Sequence, residues 1–319
     1  MTDTSKPTPA GRRKLLAIGR RIPVWTMAVV MAVVLVCLIV VGANQRQPVR
    51  PPIQLTPGET PTQAGIDTAG PSSAPQLDSL AAAITGIEGQ RGVSIGLGIA
   101  PVSSPGRVAM RPWQGGTLES APAWRTIDIP IALAVSLSPR QPQDLAYLLD
   151  RSIAQDSMAG DEALWQFLGT PSQAVASTID VLRTAGDVTT VLPEDSADPF
   201  AVFSQVWWTQ ADAAQFMGVL FCMPRSWPVL SHMTPGSSDG FGLAALSPTL
   251  VRTSYGAGND SAGMTVGVRQ IGLLRLEDGN LIGISLAVIA DDGTLDTATA
   301  AMTTVAAMLP NVTGFDGGC

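Results

Sequence analysis

Apolar positions divide the chain into three stretches of different character. Ile22 to Val41 (IPVWTMAVVMAVVLVCLIVV) is an unbroken run of twenty residues without a charge. Residues 42–76 show neither a helical nor a strand period. From residue 77 onward, short patterns switch between the 3.6-residue period of a helix and the two-residue period of a strand. Leu77–Ile87 (LDSLAAAITGI) reads as an opening helix and Val93–Val102 (VSIGLGIAPV) as a strand. Ile129–Leu137 is an apolar helical run with Pro130 near its first turn, where the missing N–H costs nothing. Helical patterns follow at Pro142–Ile153, Gly160–Leu168, Gln173–Thr184 and Gln210–Cys222. Leu250–Tyr255, Met264–Leu276 and Leu281–Ala290 then read as strands, the last two joined through the turn Glu277-Asp278-Gly279-Asn280. Thr294 or Asp296 caps a final helix carrying Leu295, Met302, Val305 and Leu309, which Pro310 ends. The order predicts an α+β fold over residues 77–319, an antiparallel sheet flanked by helices plus a helical subdomain.

Charge gives the first two stretches their meaning. Residues 1–21 carry Lys6, Arg12, Arg13, Lys14, Arg20 and Arg21 against Asp3 alone, a balance of +5. With a net charge of -7 for the whole chain, the remainder is -12. As a helix, residues 22–41 would span about 30 Å, the thickness of a bilayer's hydrocarbon core. Six basic residues before the run and none directly after it predict one transmembrane helix, with residues 1–21 as a cytoplasmic tail and the bulk of the chain outside. Trp25 then lies near the inner interface and Cys37 is an apolar filler within the span. A cleaved signal peptide is the competing reading, but its apolar region would be unusually long and no clear small-residue cleavage site follows Val41. Residues 42–76, rich in Pro, Thr, Gln and Ser (QPVRPPIQLTPGETPTQ), read as a linker. Extended, it would reach up to roughly 100 Å from the bilayer.

Composition narrows the function of the third stretch. Residues are 45% apolar but only 5% aromatic, so Ala, Val, Leu and Ile must fill its core. The acidic balance argues against nucleic acid as a partner, because neutralising phosphates needs a basic face. One histidine and three cysteines, with no C-x-x-C or H-x-x-x-H spacing, lead us to expect no metal and no cofactor. Outside the membrane, oxidation is permitted, and Cys222 and Cys319 leave a single intramolecular pairing. A buried free Cys222 beside a frayed tail is the alternative.

Five blocks in the third stretch resemble a known family. AWRTIDIPIALA (Ala123–Ala134) resembles the segment carrying the S-x-x-K nucleophile in class A β-lactamases and penicillin-binding proteins. SIAQDSMAGDEALWQFLG (Ser152–Gly169) resembles the S-D-N loop and its following helix. LVRTSYG (Leu250–Gly256) and the stretch beginning GVRQIG (Gly267–Gly272) resemble the K-T-G strand and its neighbour. FSQVWWTQADAAQFMGVLFCMP (Phe203–Pro224) looks like the helix between those blocks in envelope-anchored relatives. The resemblance covers about 240 residues and implies a β-lactamase-like fold whose motif blocks meet at one cleft.

The catalytic residues of that family are replaced. Arg125 and Asp128 stand at the serine and lysine positions of S-x-x-K. Arg125 stays protonated and has no lone pair for attack. S-D-N reads Gln155, Asp156 and Ser157, and K-T-G reads Arg252, Thr253 and Ser254. The only lysines are Lys6 and Lys14, so serine/lysine acyl transfer is unavailable anywhere in residues 77–319. Three residues apart, Arg125 and Asp128 are expected to pair on one helix face. Arg125, Asp128, Asp156 and Arg252 are expected to converge and neutralise one another, leaving vestigial motif positions. The alternative is that Arg125 and Arg252 bind a carboxylate or phosphate.

Other catalytic arrangements fit poorly. Gly236-Ser237-Ser238-Asp239-Gly240 matches G-x-S-x-G, but Pro235 precedes it and neither strand nor helix flanks it. His232 precedes that serine, whereas an α/β-hydrolase places its histidine after, so a loop or packing role is expected. The neighbouring acids Asp161-Glu162, Glu194-Asp195 and Asp291-Asp292 read as solvated helix starts and turns. The expectation is therefore a catalytically inactive domain tethered outside the membrane, a binding or scaffold subunit with a membrane-protein or cell-wall partner. The alternative is an envelope hydrolase using Thr126, Ser157 or Ser254.

Overall fold

The computed structural model describes residues 74–107, 111–193, 206–233, 240–246, 249–260 and 263–319, the side chains of 74, 75, 249 and 254–265 excepted. The expected membrane span, the linker up to residue 73 and the Gly236–Asp239 stretch lie outside the described residues. Among the described residues no helix is long and apolar enough to cross a membrane.

The first helix, α1 (Ala74–Arg91), starts three residues before the apolar pattern and runs one turn past it. That extra turn is polar because Glu88 points back into the fold. Its Oε1 accepts from the backbone N–H of Ile95 at 2.8 Å, and from the N–H and hydroxyl of Thr117 at 2.9 and 2.6 Å. Gly92, at φ +60°, supplies the left-handed residue that ends the helix. β1 (Val93–Pro101) follows and is buried on both faces. Its glycines are needed for contact: a Cβ on Gly98 would lie 2.0 Å from the carbonyl oxygen of Gln210. Two three-residue strands, β2 (Trp113–Gly115) and β3 (Ser120–Pro122), are too short to show a period in the sequence.

A 3-10 turn, Trp124–Ile127, leads into the buried helix α2 (Asp128–Leu137). The single helix expected over 142–153 is divided. α3 (Leu145–Leu149) opens into a wide π turn at Asp150–Ala154, in which the N–H of Gln155 reaches the carbonyl of Asp150 at 2.9 Å. α4 (Met158–Phe167) and α5 (Pro171–Thr184) complete the helical part, α5 opened by a capping box between Thr170 and Gln173. β4 (Trp207–Thr209) pairs with β3 in a small separate sheet. α6 (Gln210–Leu220) and the single turn α7 (Trp227–Leu230) precede the hairpin strands β5 (Thr249–Asp260) and β6 (Gly263–Arg275). β7 (Leu281–Ala290) and α8 (Leu295–Ala306) follow, and the Thr294 side chain, not Asp296, caps α8.

The main sheet is antiparallel in the order β2-β1-β7-β6-β5. One core lies between it and α1 and α8, built from Ile84, Ile95, Leu286, Met302 and Phe315. The other holds the helical part against the sheet through Ile129, Leu133, Leu164, Phe216 and Leu220. This is the expected α+β architecture.

Arg269 on β6 fastens the small sheet to the large one. Fully buried, it donates to the carbonyls of Ala121 at 3.0 Å and Trp208 at 3.1 Å, and to the hydroxyl of Ser285 at 3.1 Å. Its guanidinium also lies 5.5 Å from the Trp208 ring centre. With no carboxylate bonded to it among the described residues, burial pushes this group down to about 9.

Cys222 and Cys319 are bridged, with Cα atoms 5.3 Å apart across 97 residues of sequence. The bridge ties the C-terminal residues to the end of α6. In the loop-entropy model it contributes at most about 4–5 kcal/mol. Cys222→Ser should therefore lower the free energy of unfolding by no more than this amount in chemical denaturation. Two alkylatable thiols in the non-reduced, denatured protein would exclude the bridge.

Candidate functional site

The site lies where the 3-10 turn, the π turn, α4 and β5 meet. Asp128 is the first residue of α2, where the helix N-terminus favours a negative charge, and it is fully buried. Arg252 enters from β5 and donates Nε to Asp128 Oδ2 at 2.8 Å. Its other nitrogens reach the carbonyls of Ile153 at 3.0 Å and Ser152 at 3.3 Å, groups that the π turn leaves pointing at the strand. Arg252 Nη2 also lies 2.8 Å from Asp156 Oδ1.

Arg125 completes the cluster from the opposite side. Its Nε donates to Asp161 Oδ2 at 2.9 Å, and its Nη1 lies 3.1 Å from Asp156 Oδ1. Asp161 in turn accepts from the Ser152 hydroxyl at 2.6 Å. Asp156 thus bridges both guanidiniums, and its side chain is 51% exposed while that of Arg252 is only 5% exposed. Two residues here hold left-handed backbone conformations, Trp124 at φ +45° and Asp156 at φ +53°. Such conformations cost free energy and persist where neighbours fix them.

The four residues expected to converge, Arg125, Asp128, Asp156 and Arg252, are therefore together, but the pairing differs from expectation. Asp128 bonds Arg252 rather than Arg125, because the 3-10 turn directs Arg125 toward the S-D-N-like loop. Asp161 also corrects the reading of Asp161-Glu162 as a solvated pair, since Asp161 has no exposed surface. The signal was present in the sequence: Asp161, Leu164 and Trp165 are three and four residues apart, which puts Asp161 on the buried face of α4.

The remaining motif positions lie around this cluster. Gln155 turns away and donates to Asp150 Oδ2 at 2.6 Å, and Ser157 accepts from Arg151 at 3.1 Å. Thr253 accepts from Gln270 at 3.0 Å. The backbone of Ser254 lies in β5 and its side chain is outside the described residues. Thr126 is fully buried and donates to the carbonyl of Ala123 at 2.6 Å, which removes it as an accessible nucleophile. His232 is half-buried, with Nδ1 2.7 Å from the carbonyl of Pro228. Asp291 and Asp292 are exposed, as expected, and Asp292 receives Thr294 and Thr297 at the start of α8. Glu194 and Asp195 lie outside the described residues. Among the described residues no group of three His, Cys, Asp or Glu side chains could hold a metal.

No family model matches the chain, and no curated protein matches it. Solved structures do, class A β-lactamases among them. The extended-spectrum enzyme TLA-3 superposes with a TM-score of 0.55 at 14% identity, covering 73% of this chain and 98% of that one. A class A β-lactamase from Bacteroides cellulosilyticus gives 0.54 at 11%, covering 75% and 97%. The last common ancestor of Gram-negative class A enzymes gives 0.53 at 17%, covering 72% and 98%. The chain therefore has the β-lactamase-like fold, and identities this low carry the fold alone.

Three carboxylates share two guanidiniums, so the cluster has one negative charge in excess. Burial pushes the Asp128 carboxyl up to about 7; Arg252 opposes that shift and Asp161 adds to it. Burial also raises Asp161, with Arg125 opposing. Burial works against the charge of Arg252, but Asp128 and Asp156 outweigh it and hold the group above its usual value. A carboxyl raised on folding contributes stability that is complete below its unfolded value of 3.8 and is lost as the pH rises through about 7. Unfolding free energy measured from pH 4 to 8 should therefore fall more steeply in the native chain than in Asp128→Asn. Arg252→Met, which strands Asp128, should cost about 3–5 kcal/mol at neutral pH.

Proposed function

We propose that the chain is a catalytically inactive β-lactamase-like domain tethered outside the membrane, acting as a binding or scaffold subunit of a cell-envelope or membrane-protein complex. The observation that carries this reading is Arg125. It stands where the resemblance places the nucleophile, and it is committed to Asp156 and Asp161. A guanidinium cannot attack a carbonyl. Ser152, the hydroxyl that touches the cluster, is fully buried and donates to Asp161. The charges satisfy one another, so little attraction remains for an anionic substrate. We accordingly place partner binding on the outer surface and treat the old cleft as vestigial. The tether rests on the twenty-residue apolar run and the basic residues before it.

Incubation with a penicillin should leave the intact mass of the protein unchanged. A stoichiometric acyl adduct on any serine or threonine would favour the alternative, an envelope serine hydrolase with non-standard residues. Protease treatment of wall-less cells should remove residues 77–319 and spare an N-terminal tag, whereas a mature chain beginning near residue 44 would contradict the anchor. Replacing Arg125 and Asp128 together by Ala should lower stability and leave co-purifying membrane partners unchanged. A folded double variant that loses its partner would make the cleft the functional site.

A further inference from the structure

Two exposed aromatic side chains stand on adjoining helices of the helical part. α3 packs Leu145, Leu148 and Leu149 against the core, which leaves Tyr147 on the opposite side, 54% exposed. α7 is a single turn whose Val229 and Leu230 are buried, and Trp227 at its start is 51% exposed. α7 packs on both α2 and α3, so the two rings belong to neighbouring elements of one surface.

Three arginines accompany them. Arg151 donates to the Tyr147 hydroxyl at 3.0 Å, and its guanidinium lies 5.8 Å from the centre of that ring. Arg225, two residues before Trp227, reaches the carbonyls of Ser136 and Ser138 at 3.5 and 3.3 Å. The Ser138 hydroxyl in turn donates to the carbonyl of the exposed Arg140. Among the described residues none of these three is in an ion pair, whereas Arg125, Arg183 and Arg252 all are. The carboxylates nearest in sequence are Asp144, which is exposed, and Asp150, which accepts from Gln155 Nε2 at 2.6 Å. Arg225 also holds a left-handed backbone at φ +57°, where glycine would sit without strain. The surface is therefore locally basic, although residues 77–319 carry -12 in all.

An arginine outside any ion pair keeps donors for an anion, and its planar fork meets a phosphate with two parallel bonds. Indole and phenol rings beside such cations settle at the level of lipid headgroups, apolar body inward and polar edge in water. A protein partner would need a larger surface. Two half-exposed rings offer on the order of 100 Å² each, against roughly 800 Å² on each side of a stable protein pair. A bilayer demands no complementary shape, and each arginine near an anionic surface strengthens the contact about fivefold.

We propose that the face carrying Arg140, Tyr147, Arg151, Arg225 and Trp227 docks on an anionic lipid surface, the guanidiniums on headgroup phosphates and the two rings in the interface. Charges on the rest of the acidic domain lie beyond the screening length of about 8 Å at physiological salt, so they oppose this contact only weakly. The proposal deepens the function proposed above by naming the bilayer as a partner of the outer surface. Its place in the cell rests on the tethered reading, whereas the affinity of the face for lipid does not.

The test places the full chain in nanodiscs of phosphatidylcholine, with and without phosphatidylglycerol, and follows amide hydrogen exchange over residues 145–151 and 226–231. Exchange in both segments should be at least about fivefold slower in the anionic discs, and high salt should abolish the difference. Arg140→Glu and Trp227→Ser, both at exposed positions, should each remove most of it. Unchanged exchange in β1 and β7 reports that these variants remain folded. Equal exchange in the two kinds of disc overturns the proposal, as does a difference that survives both variants. Protection by inorganic phosphate in lipid-free detergent marks a site for small anions, and protection that grows with protein concentration marks a contact between copies. Either result also overturns it. Retention of the chain in the neutral discs reads the tether separately. If the chain leaves the discs, the tethered reading fails, and the same segments are compared with neutral and anionic vesicles in excess, where equal exchange again overturns the lipid-docking face.

Discussion

The described fold depends on one buried cation. Arg252 projects from β5, the edge strand of the main sheet, and bonds Asp128 at the start of α2 and two carbonyls of the π turn. It thereby joins the sheet to the helical part. A guanidinium suits this position because its fixed fork of donors can satisfy a carboxylate and several carbonyls at once. An ammonium would offer a single point of charge, and residues 77–319 contain no lysine at all. The same solution recurs at Arg269, which joins β3 and β4 to the main sheet through three backbone and hydroxyl acceptors.

A buried ion cluster is not in itself a gain in stability. Desolvating the charges costs several kcal/mol for each ion, and apolar replacements of similar volume are often neutral or better. Its effect is to make each member dependent on the others. Removing Arg252 strands Asp128, and removing Asp156 leaves two guanidiniums facing one another. The left-handed backbone at Trp124 and Asp156 adds a local cost that the rest of the cluster must hold in place. A site constrained in this way has one geometry, fixed by all its members together.

Much of this organisation was legible in the sequence. The strands Met264–Leu276 and Leu281–Ala290 and the closing helix carry strong periods, and the structure has them within a few residues. The meeting of Arg125, Asp128, Asp156 and Arg252 was implied by the resemblance of the motif blocks to a family in which those blocks come together. The partners within it did not, because pairing was set by a 3-10 turn and a π turn, and neither leaves a periodic trace. The three-residue strands were invisible for the same reason, being shorter than one repeat of any pattern. Asp161 was missed because two adjacent acids look solvated, although its spacing from Leu164 and Trp165 marks a buried face. Arg269 looked like an ordinary strand residue, since burial of a cation against carbonyls has no counterpart in composition.

The charge arrangement also separates this cluster from an open anion-binding pocket. If single substitutions had removed the nucleophile alone, an open pocket with the family's remaining donors would be expected, and such a pocket still attracts anions. Here the charges are paired with one another. Arg125 at the nucleophile position is answered by Asp161 and Asp156, and Arg252 at the strand position by Asp128 and Asp156. Removing any one of these charges leaves a buried partner unpaired, which is destabilising. The buried ions of this domain are thus committed to holding its two parts together.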